Sequence, residues 1–259
     1  MMNGTPSRAS KGAFPKMTAG VMRGLLSVTL ALAILMGPGA GALSEGTPST
    51  AARGVGSPEG IAHPPHFADF GTERASPDAL HIANWVADSG DSGHSDFVVV
   101  DKKYARVYVF DADARLRGSA PVLIGAARGD DSVAGIGSRP IAEVRPDERT
   151  TPAGRFVAER GHNALGEDVI WVDYDAAVSM HRVRTTNPAE RRLERLATSS
   201  IDDKRISYGC INVPVAFYEG YIRPIFAVRA AVVYVLPEVK SVQYVFGSYD
   251  VAAAHGYTH

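Results

Sequence analysis

The apolar positions change texture three times along the chain. Residues Gly24 to Gly37 (G-L-L-S-V-T-L-A-L-A-I-L-M-G) form an uncharged apolar run. From 43 to about 77 the chain turns polar and small (S-E-G-T-P-S-T-A-A-R-G-V-G-S-P-E-G). Such composition buries too little apolar surface to offset chain entropy, so it reads as a flexible tether. Ser76-Pro77 then has the form of a helix N-cap followed by proline at the first helical position. The pattern D-A-L-H-I-A-N-W-V-A-D predicts a short helix over about 78–88, with Leu80, Ile82, Trp85 and Val86 facing a core.

From residue 97 the period shortens towards two, the signature of strands. F-V-V-V-D (97–101) and Y-A-R-V-Y-V-F (104–110) are β-branched and aromatic, and D-A-D-A-R-L-R-G reads as a turn after them. S-A-P-V-L-I-G (119–125), T-P-A-G-R-F-V-A-E-R-G, D-V-I-W-V-D, A-A-V-S-M-H and A-V-V-Y-V-L (231–236) continue the strand set. Residues from about 125 to 150 are rich in Gly, Asp and Pro and read as a long functional or mobile loop. Two helices interrupt the strands. One is P-A-E-R-R-L-E-R-L-A (188–197) after Asn187 as cap, and the other is V-A-F-Y-E-G-Y-I (215–222) after Pro214. Many strands and few helices predict a mostly-β fold, a sandwich or barrel with a few short helices.

The N-terminus sets the compartment. Lys11, Lys16 and Arg23 precede the apolar run, which at about 14 residues falls short of the roughly 20 that a spanning helix needs. Ala40 and Ala42 stand in the A-x-A spacing of a signal-peptidase site, so 1–42 reads as a signal peptide cleaved before Leu43. An uncleaved anchor in the inner membrane is the alternative, and no cysteine follows the run to carry a lipid. The expected organisation is a signal peptide (1–42), a tether with one helix (43–94), a strand-rich domain (95–237) and a tail (238–259). The protein is expected to be exported to the periplasm or cell envelope. No stable membrane span is expected after cleavage, because Arg223, Pro224 and Arg229 break the second apolar stretch. Lys plus Arg is 27 against 28 for Asp plus Glu, which argues against nucleic acid as a partner.

The single cysteine, Cys210, then needs a reason, since a lone thiol in an oxidising compartment is a liability unless buried, paired or used. A small buried hydrophobe is the plain alternative. A cysteine nucleophile requires a base and donors for its oxyanion. In I-S-Y-G-C-I-N-V-P, Gly209 permits unusual backbone angles, the Gly209 and Cys210 amides are candidate oxyanion donors, and a helix start follows Pro214. Among the eight histidines, His63 and His66 fall in the tether, His81 on the early helix and His94 in a Gly-Ser loop. His162 is expected in a turn, and His255 and His259 lie in the tail. Only His181 ends a strand-like run before a loop leading back to the cysteine, which makes it the candidate base. No metal site is expected: H-P-P-H (63–66) is the only close pair, and its prolines keep it off a helix face.

These residues resemble a family. S-Y-G-C-I-N with the upstream His181 is similar to the active-site signature of L,D-transpeptidase catalytic domains. V-V-V-D-K-K-Y-A-R-V-Y-V-F, P-V-L-I-G, T-T-P-A-G-R-F (150–156) and A-V-V-Y-V-L resemble further family segments in the expected order, over about 97–236. The resemblance implies a mostly-β fold and a transpeptidase acting on peptidoglycan stem peptides, donor and acceptor, without a cofactor. Cys210 would attack the carbonyl of the L-centre at stem position three, release D-alanine, and pass the acyl group to an amine in a 3–3 cross-link. His181 would be the general base, amides from Tyr208 to Cys210 would hold the oxyanion, and Ser207 and Asn212 would brace the loop. β-Lactams of the carbapenem type would inhibit.

Three departures bear on this. Tyr208 stands where the family motif has a histidine, and a tyrosine is no base near neutral pH. Arg182 follows the histidine where many members have glycine. The 25 residues between His181 and Ser207 exceed the usual spacer and carry seven basic and four acidic residues. That insert reads either as a basic lid contacting stem carboxylates or as a solvated amphipathic helix with Leu193 and Leu196 packed down. Two other functions fit the same residues: an L,D-carboxypeptidase that transfers to water, and a weakly active wall-binding module. A sortase does not fit, because its Thr-Leu-x-Thr-Cys strand is absent.

Overall fold

The computed structural model describes residues 63–257. The expected signal peptide and the first part of the expected tether lie outside the described residues. The helix predicted near 78–88 is α1 (Pro77–Ser89), opened by Ser76, whose hydroxyl accepts the Ala79 N–H at 3.1 Å, and closed by Gly90 in the left-handed region. Strands follow as β1 (Phe97–Asp101), β2 (Arg106–Phe110), β3 (Leu116–Pro121) and the short β4 (Ile124–Gly125). Next come β5 (Gly154–His162), β6 (Asp168–Asp173) and β7 (Val178–Arg182). After the insert lie β8 (Arg205–Ser207), β9 (Ile211–Val213) and β10 (Ala231–Val235).

Eight strands form one sheet in the order β3-β2-β1-β10-β5-β6-β7-β9, and β4 pairs separately with β8. β1 with β10 and β7 with β9 run parallel; the other pairs in the large sheet are antiparallel. The two ends of the sheet come together where Leu123, just past β3, exchanges backbone hydrogen bonds of 2.9 and 2.8 Å with Asn212 in β9. The sheet thereby closes nearly into a barrel, within the mostly-β class that strand periodicity predicts.

Alternation along each strand builds two cores. Val98, Val100, Val107, Val109, Ile170, Met180, Ile211, Val213, Val233 and Val235 point inward to one cluster, completed by Phe217 and Tyr218. The opposite face of β1, β2 and β10 presents Phe97, Val99, Tyr108, Phe110, Val232 and Tyr234 to α1. α1 therefore covers the sheet, burying Ile82, Trp85 and Val86, whereas Leu80 is turned to solvent. The segment expected to be a tether is packed from His66 onward. The His66 N–H donates to Asp88, Asp69 bridges to Arg115, and Phe70 lies edge-on to Tyr108 and Phe110. Backbone hydrogen bonds and the Phe70 ring anchor it together, a contribution that average composition conceals.

Other expectations shift in detail. The turn after β2 is shorter than predicted, since β3 begins at Leu116, and the strand expected over 119–125 divides into β3 and β4. The helix expected over 188–197 breaks at Arg191, whose φ of 49° separates a 3-10 turn (Pro188–Glu190) from α2 (Arg192–Ala197). The segment after Pro214 starts as α3 (Val215–Phe217), widens to a π turn (Tyr218–Ile222) and ends as α4 (Arg223–Ile225). The tail folds back as α5 (Val242–Phe246) and α6 (Val251–Ala254), with Val242 and Val251 buried.

The long loop between β4 and β5 is pinned rather than free. Lys102, directly after β1 and fully buried, donates from Nζ to Asp130 Oδ1 at 2.9 Å, to the Thr151 carbonyl at 2.9 Å and to the Gly129 carbonyl. Its three protons are thus all used. Asp130 in turn accepts the N–H groups of Glu238, Val239 and Lys240 at 2.7, 2.9 and 2.7 Å. Burial raises the Asp130 carboxyl, but those amides and the Lys102 ammonium outweigh it and hold it down at about 2.

Candidate active site

The parallel pairing of β7 with β9 creates the site. Its register sets Met180 opposite Ile211 and His181 opposite Asn212. Met180 and Ile211 face the inner core, so their neighbours Ser179, His181, Cys210 and Asn212 share the outer face. With strands about 4.8 Å apart and about 3.3 Å of rise per residue, the Cα atoms of His181 and Cys210 lie about 8 Å apart on a diagonal. That is within reach of an imidazole and a thiol on the same face.

Cys210 is half-buried. Its Sγ receives the Ser179 hydroxyl at 3.7 Å and donates towards the Ala177 carbonyl at 3.6 Å. Among the described residues it has no hydrogen bond to His181. Ligand-free sites often hold such pairs apart. His181 Nδ1 bonds the Arg182 carbonyl at 2.7 Å. A carbonyl only accepts, so Nδ1 carries the proton there and Nε2 is left with its lone pair free. Burial drives the imidazole pKa down to about 4; the Arg182 carbonyl and Glu167 oppose the fall, while Arg184 and Arg192 reinforce it. The ring is therefore neutral, hence able to accept a proton, throughout the physiological range.

The turn carrying the thiol is held from several sides. Ser207 Oγ donates to the Cys210 carbonyl at 2.6 Å and accepts the Gly209 N–H at 3.1 Å. Asn212 Nδ2 donates to the same Cys210 carbonyl at 3.1 Å. Thr151 Oγ1 donates to the Gly209 carbonyl at 2.8 Å and accepts the Gly125 N–H at 2.9 Å. The role foreseen for the Gly209 amide changes here, because that N–H is already bound to Ser207. Among the described residues the Tyr208 and Cys210 N–H groups donate to no protein group, which leaves these two for an oxyanion. Tyr208 is partly exposed, and the Arg149 guanidinium lies over its ring, 4.0 Å from the centroid.

The insert closes over this face. Leu196 packs with Leu123, Val183 and Ile206, while Leu193 is exposed, so only one of the two leucines expected to be buried is packed. Arg192 donates to Asn212 Oδ1, which ties α2 directly to the motif. Arg182, in the place of the expected glycine, is locked by Asp168, Glu219 and the Tyr218 ring, 4.2 Å away. An open cleft of about 520 Å³ adjoins His181, walled by Arg160, His162, Glu167, Arg184 and Val215; Cys210 is not in its lining. His162 ends β5 instead of lying in a turn, so it too is a strand-end histidine, and it lines the same cleft as His181. Ser179, Thr151 and Arg192 escaped the reading from residues. Thr151 alone had a signal, in the Thr-Thr-Pro segment.

The neutral imidazole has a kinetic consequence. If Cys210 is a nucleophile served by this imidazole, the second-order rate of its acylation should show an acid limb near pH 4 instead of near 6.5, since a base with a lowered pKa is lost only below that lowered value. Stopped-flow acylation between pH 3 and 8 checks it, and His181→Gln should abolish that limb.

Fold and site together define a mostly-β protein with a cysteine and a neutral histidine on the outer face of two parallel strands. No family model matches the sequence, and no curated protein matches it. Solved structures to which the chain is similar include several L,D-transpeptidases. That of Mycobacterium smegmatis is 13% identical over 54% of this chain and 58% of its own, with a TM-score of 0.32. The catalytic domain of the Enterococcus faecium enzyme is 15% identical over 55% of this chain and 98% of its own, at 0.31. The helical cell shape determining protein Pgp2 of Campylobacter jejuni is 15% identical over 66% and 58%, at 0.39. The chain spans 58% of the length of Pgp2 and half that of the longer E. faecium structure.

Proposed function

We propose that this chain is an exported peptidoglycan L,D-transpeptidase with Cys210 as nucleophile and His181 as general base. His181 Nε2 takes the thiol proton as Sγ attacks the L-centre carbonyl at stem position three. The tetrahedral oxyanion lies against the Tyr208 and Cys210 amides. Its collapse breaks the amide C–N bond, the proton passes from His181 to the leaving D-alanine amine, and a thioester remains. An amine of a second stem then gives up a proton to His181 and takes the acyl group as the thioester C–S bond breaks, and His181 returns that proton to Sγ, completing a 3–3 cross-link. The cleft beside His181, lined by Arg160 and Arg184 and by their carboxylate partners Asp168 and Glu167, suits a peptide bearing both charges.

The observation that carries this reading is the convergence at one turn. The only thiol of the chain is half-exposed on a loop whose carbonyls are held by Ser207, Asn212 and Thr151, beside a histidine with a free Nε2. Intact-mass spectrometry of the mature chain with a carbapenem tests it. Wild type should gain one adduct and Cys210→Ala none, and His181→Ala should acylate about 10²–10⁴ times more slowly. No adduct on a wild-type thiol that still alkylates would sink the enzyme reading. Unchanged acylation in His181→Ala would move the base elsewhere. Incubation with a disaccharide tetrapeptide separates the acceptors: a cross-linked dimer marks the transpeptidase, a free tripeptide the carboxypeptidase.

A further inference from the structure

We infer that His63, Asp88 and His255 form a binding site for one divalent transition-metal ion of the zinc class, remote from Cys210. The three come from far apart in sequence: the segment before α1, the last turn of α1, and the residue after α6. One ligand atom from each lies within 4.8 Å of the others. His255 Nε2 stands 3.0 Å from Asp88 Oδ1, and His63 Nδ1, which donates to the Pro64 carbonyl at 2.9 Å and would give up that proton to a metal, stands 3.8 Å from the same oxygen. Metal bonds of about 2.0–2.2 Å at tetrahedral angles put ligand atoms about 3.3–3.5 Å apart, and the two observed separations bracket that value. The imidazole rings meet edge to face with centroids 5.3 Å apart, so both can turn a nitrogen to one point.

Charge points the same way. Asp88 is completely buried at the carbonyl end of α1, where the helix dipole is negative, and the last turn holds no basic residue. Among the described residues no lysine or arginine pairs with it, and its ion-pair partners are the two imidazoles. The carboxylate is also oriented as metal-binding carboxylates are: the His66 N–H donates to Oδ1 at 2.9 Å and the Tyr249 hydroxyl to Oδ2 at 2.8 Å. A buried carboxylate, two imidazoles and a half-exposed His63 that admits water make an N2O donor set with an open fourth position. The His-Pro-Pro-His segment does not act as a pair, because the His66 ring turns to the Ala87 carbonyl. Bound metal clamps the N-terminal segment and the tail to the end of α1, where, among the described residues, the polar and ring partners of His63 are Pro64, Asp88 and His255.

The test uses the untagged mature chain with ZnCl2 in calorimetry and CoCl2 in absorption spectroscopy. One equivalent of zinc should bind, Co2+ should give the intense visible bands of a tetrahedral site, and saturating zinc should raise Tm by roughly 5–10 °C. Affinity should fall at least about hundredfold in both His63→Ala and His255→Ala and be unchanged in Cys210→Ser. His63 is half-exposed, so His63→Ala keeps the test valid if His255→Ala fails to fold. No binding by wild type, retained affinity in His63→Ala or in folded His255→Ala, or loss in Cys210→Ser would each overturn the site.

Discussion

Gly209→Ala should abolish measurable acylation of Cys210 while leaving the β-sheet folded. Gly209 has φ of 131°, a region that residues with a side chain avoid at a cost of about 1–3 kcal/mol. Space is lacking as well: a Cβ there would sit 2.7 Å from the Thr150 carbonyl oxygen, which is backbone and cannot swing away. The turn would have to move, and three bonds move with it: Gly209 N–H to Ser207, Ser207 to the Cys210 carbonyl, and Thr151 to the Gly209 carbonyl. A displacement near 1 Å at a reacting centre costs about 10²-fold, and here nucleophile and oxyanion donors shift together. Carbapenem acylation should therefore fall by at least about 10²-fold, with far-ultraviolet circular dichroism unchanged. Wild-type acylation rates in this variant would refute the account of the turn.

Lys102→Met should give the largest loss of stability. The Lys102 ammonium is buried with Asp130 and stands 3.8 Å from Glu238. Removing it leaves Asp130 charged in the interior, because the three amide donors still hold that carboxyl well below its ordinary range. Breaking a buried pair from one side typically costs about 3–5 kcal/mol. For a domain of this size that is a Tm lower by roughly 6–20 °C. A pH signature accompanies it. The folded-state pKa of Asp130 is depressed, so its stabilisation is present above pH 4 and is lost as pH falls towards 2. Urea midpoints measured from pH 2 to 7 should converge for wild type and Lys102→Met at the acid end. The same ammonium holds the Thr151 carbonyl, and Thr151 holds Gly209. Acylation by the folded variant should therefore slow too, and an unchanged rate would separate the buried pair from the site.

Strand periodicity and the α1 cap were legible because they depend on neighbours two to four residues away. The Ser76 cap, the valine run of β1 and the alternating valines of β2 are local facts that tertiary contacts reinforce. Leu80 was expected to be buried and Leu193 to be packed down in one of the two readings of the insert; both are exposed, because helical spacing names a stripe but not its width. Phe70 escaped notice because two phenylalanines, Phe67 and Phe70, in a stretch that follows Gly-, Pro- and Ser-rich sequence set no period. Cys210 stood out by being single, and His181 by ending a strand. Ser179 beneath the thiol depends on a parallel register between strands separated by the whole insert, and no local pattern encodes it.

By itself, then, the chain's sequence determined a mostly-β domain and a glycine-cysteine turn, since turn chemistry and side-chain alternation act over a few residues. Only the tertiary structure decided which partners meet. It committed the Gly209 amide to Ser207, set Arg192 on Asn212, and drew Lys102, Asp130 and Thr151 into one buried chain of bonds. It also gathered His63 and His255, from the two ends of the described chain, around Asp88 at the end of α1. Each of these pairings is fixed by chain crossings and burial, and the energy of a buried polar contact depends on whether its partner arrives from elsewhere.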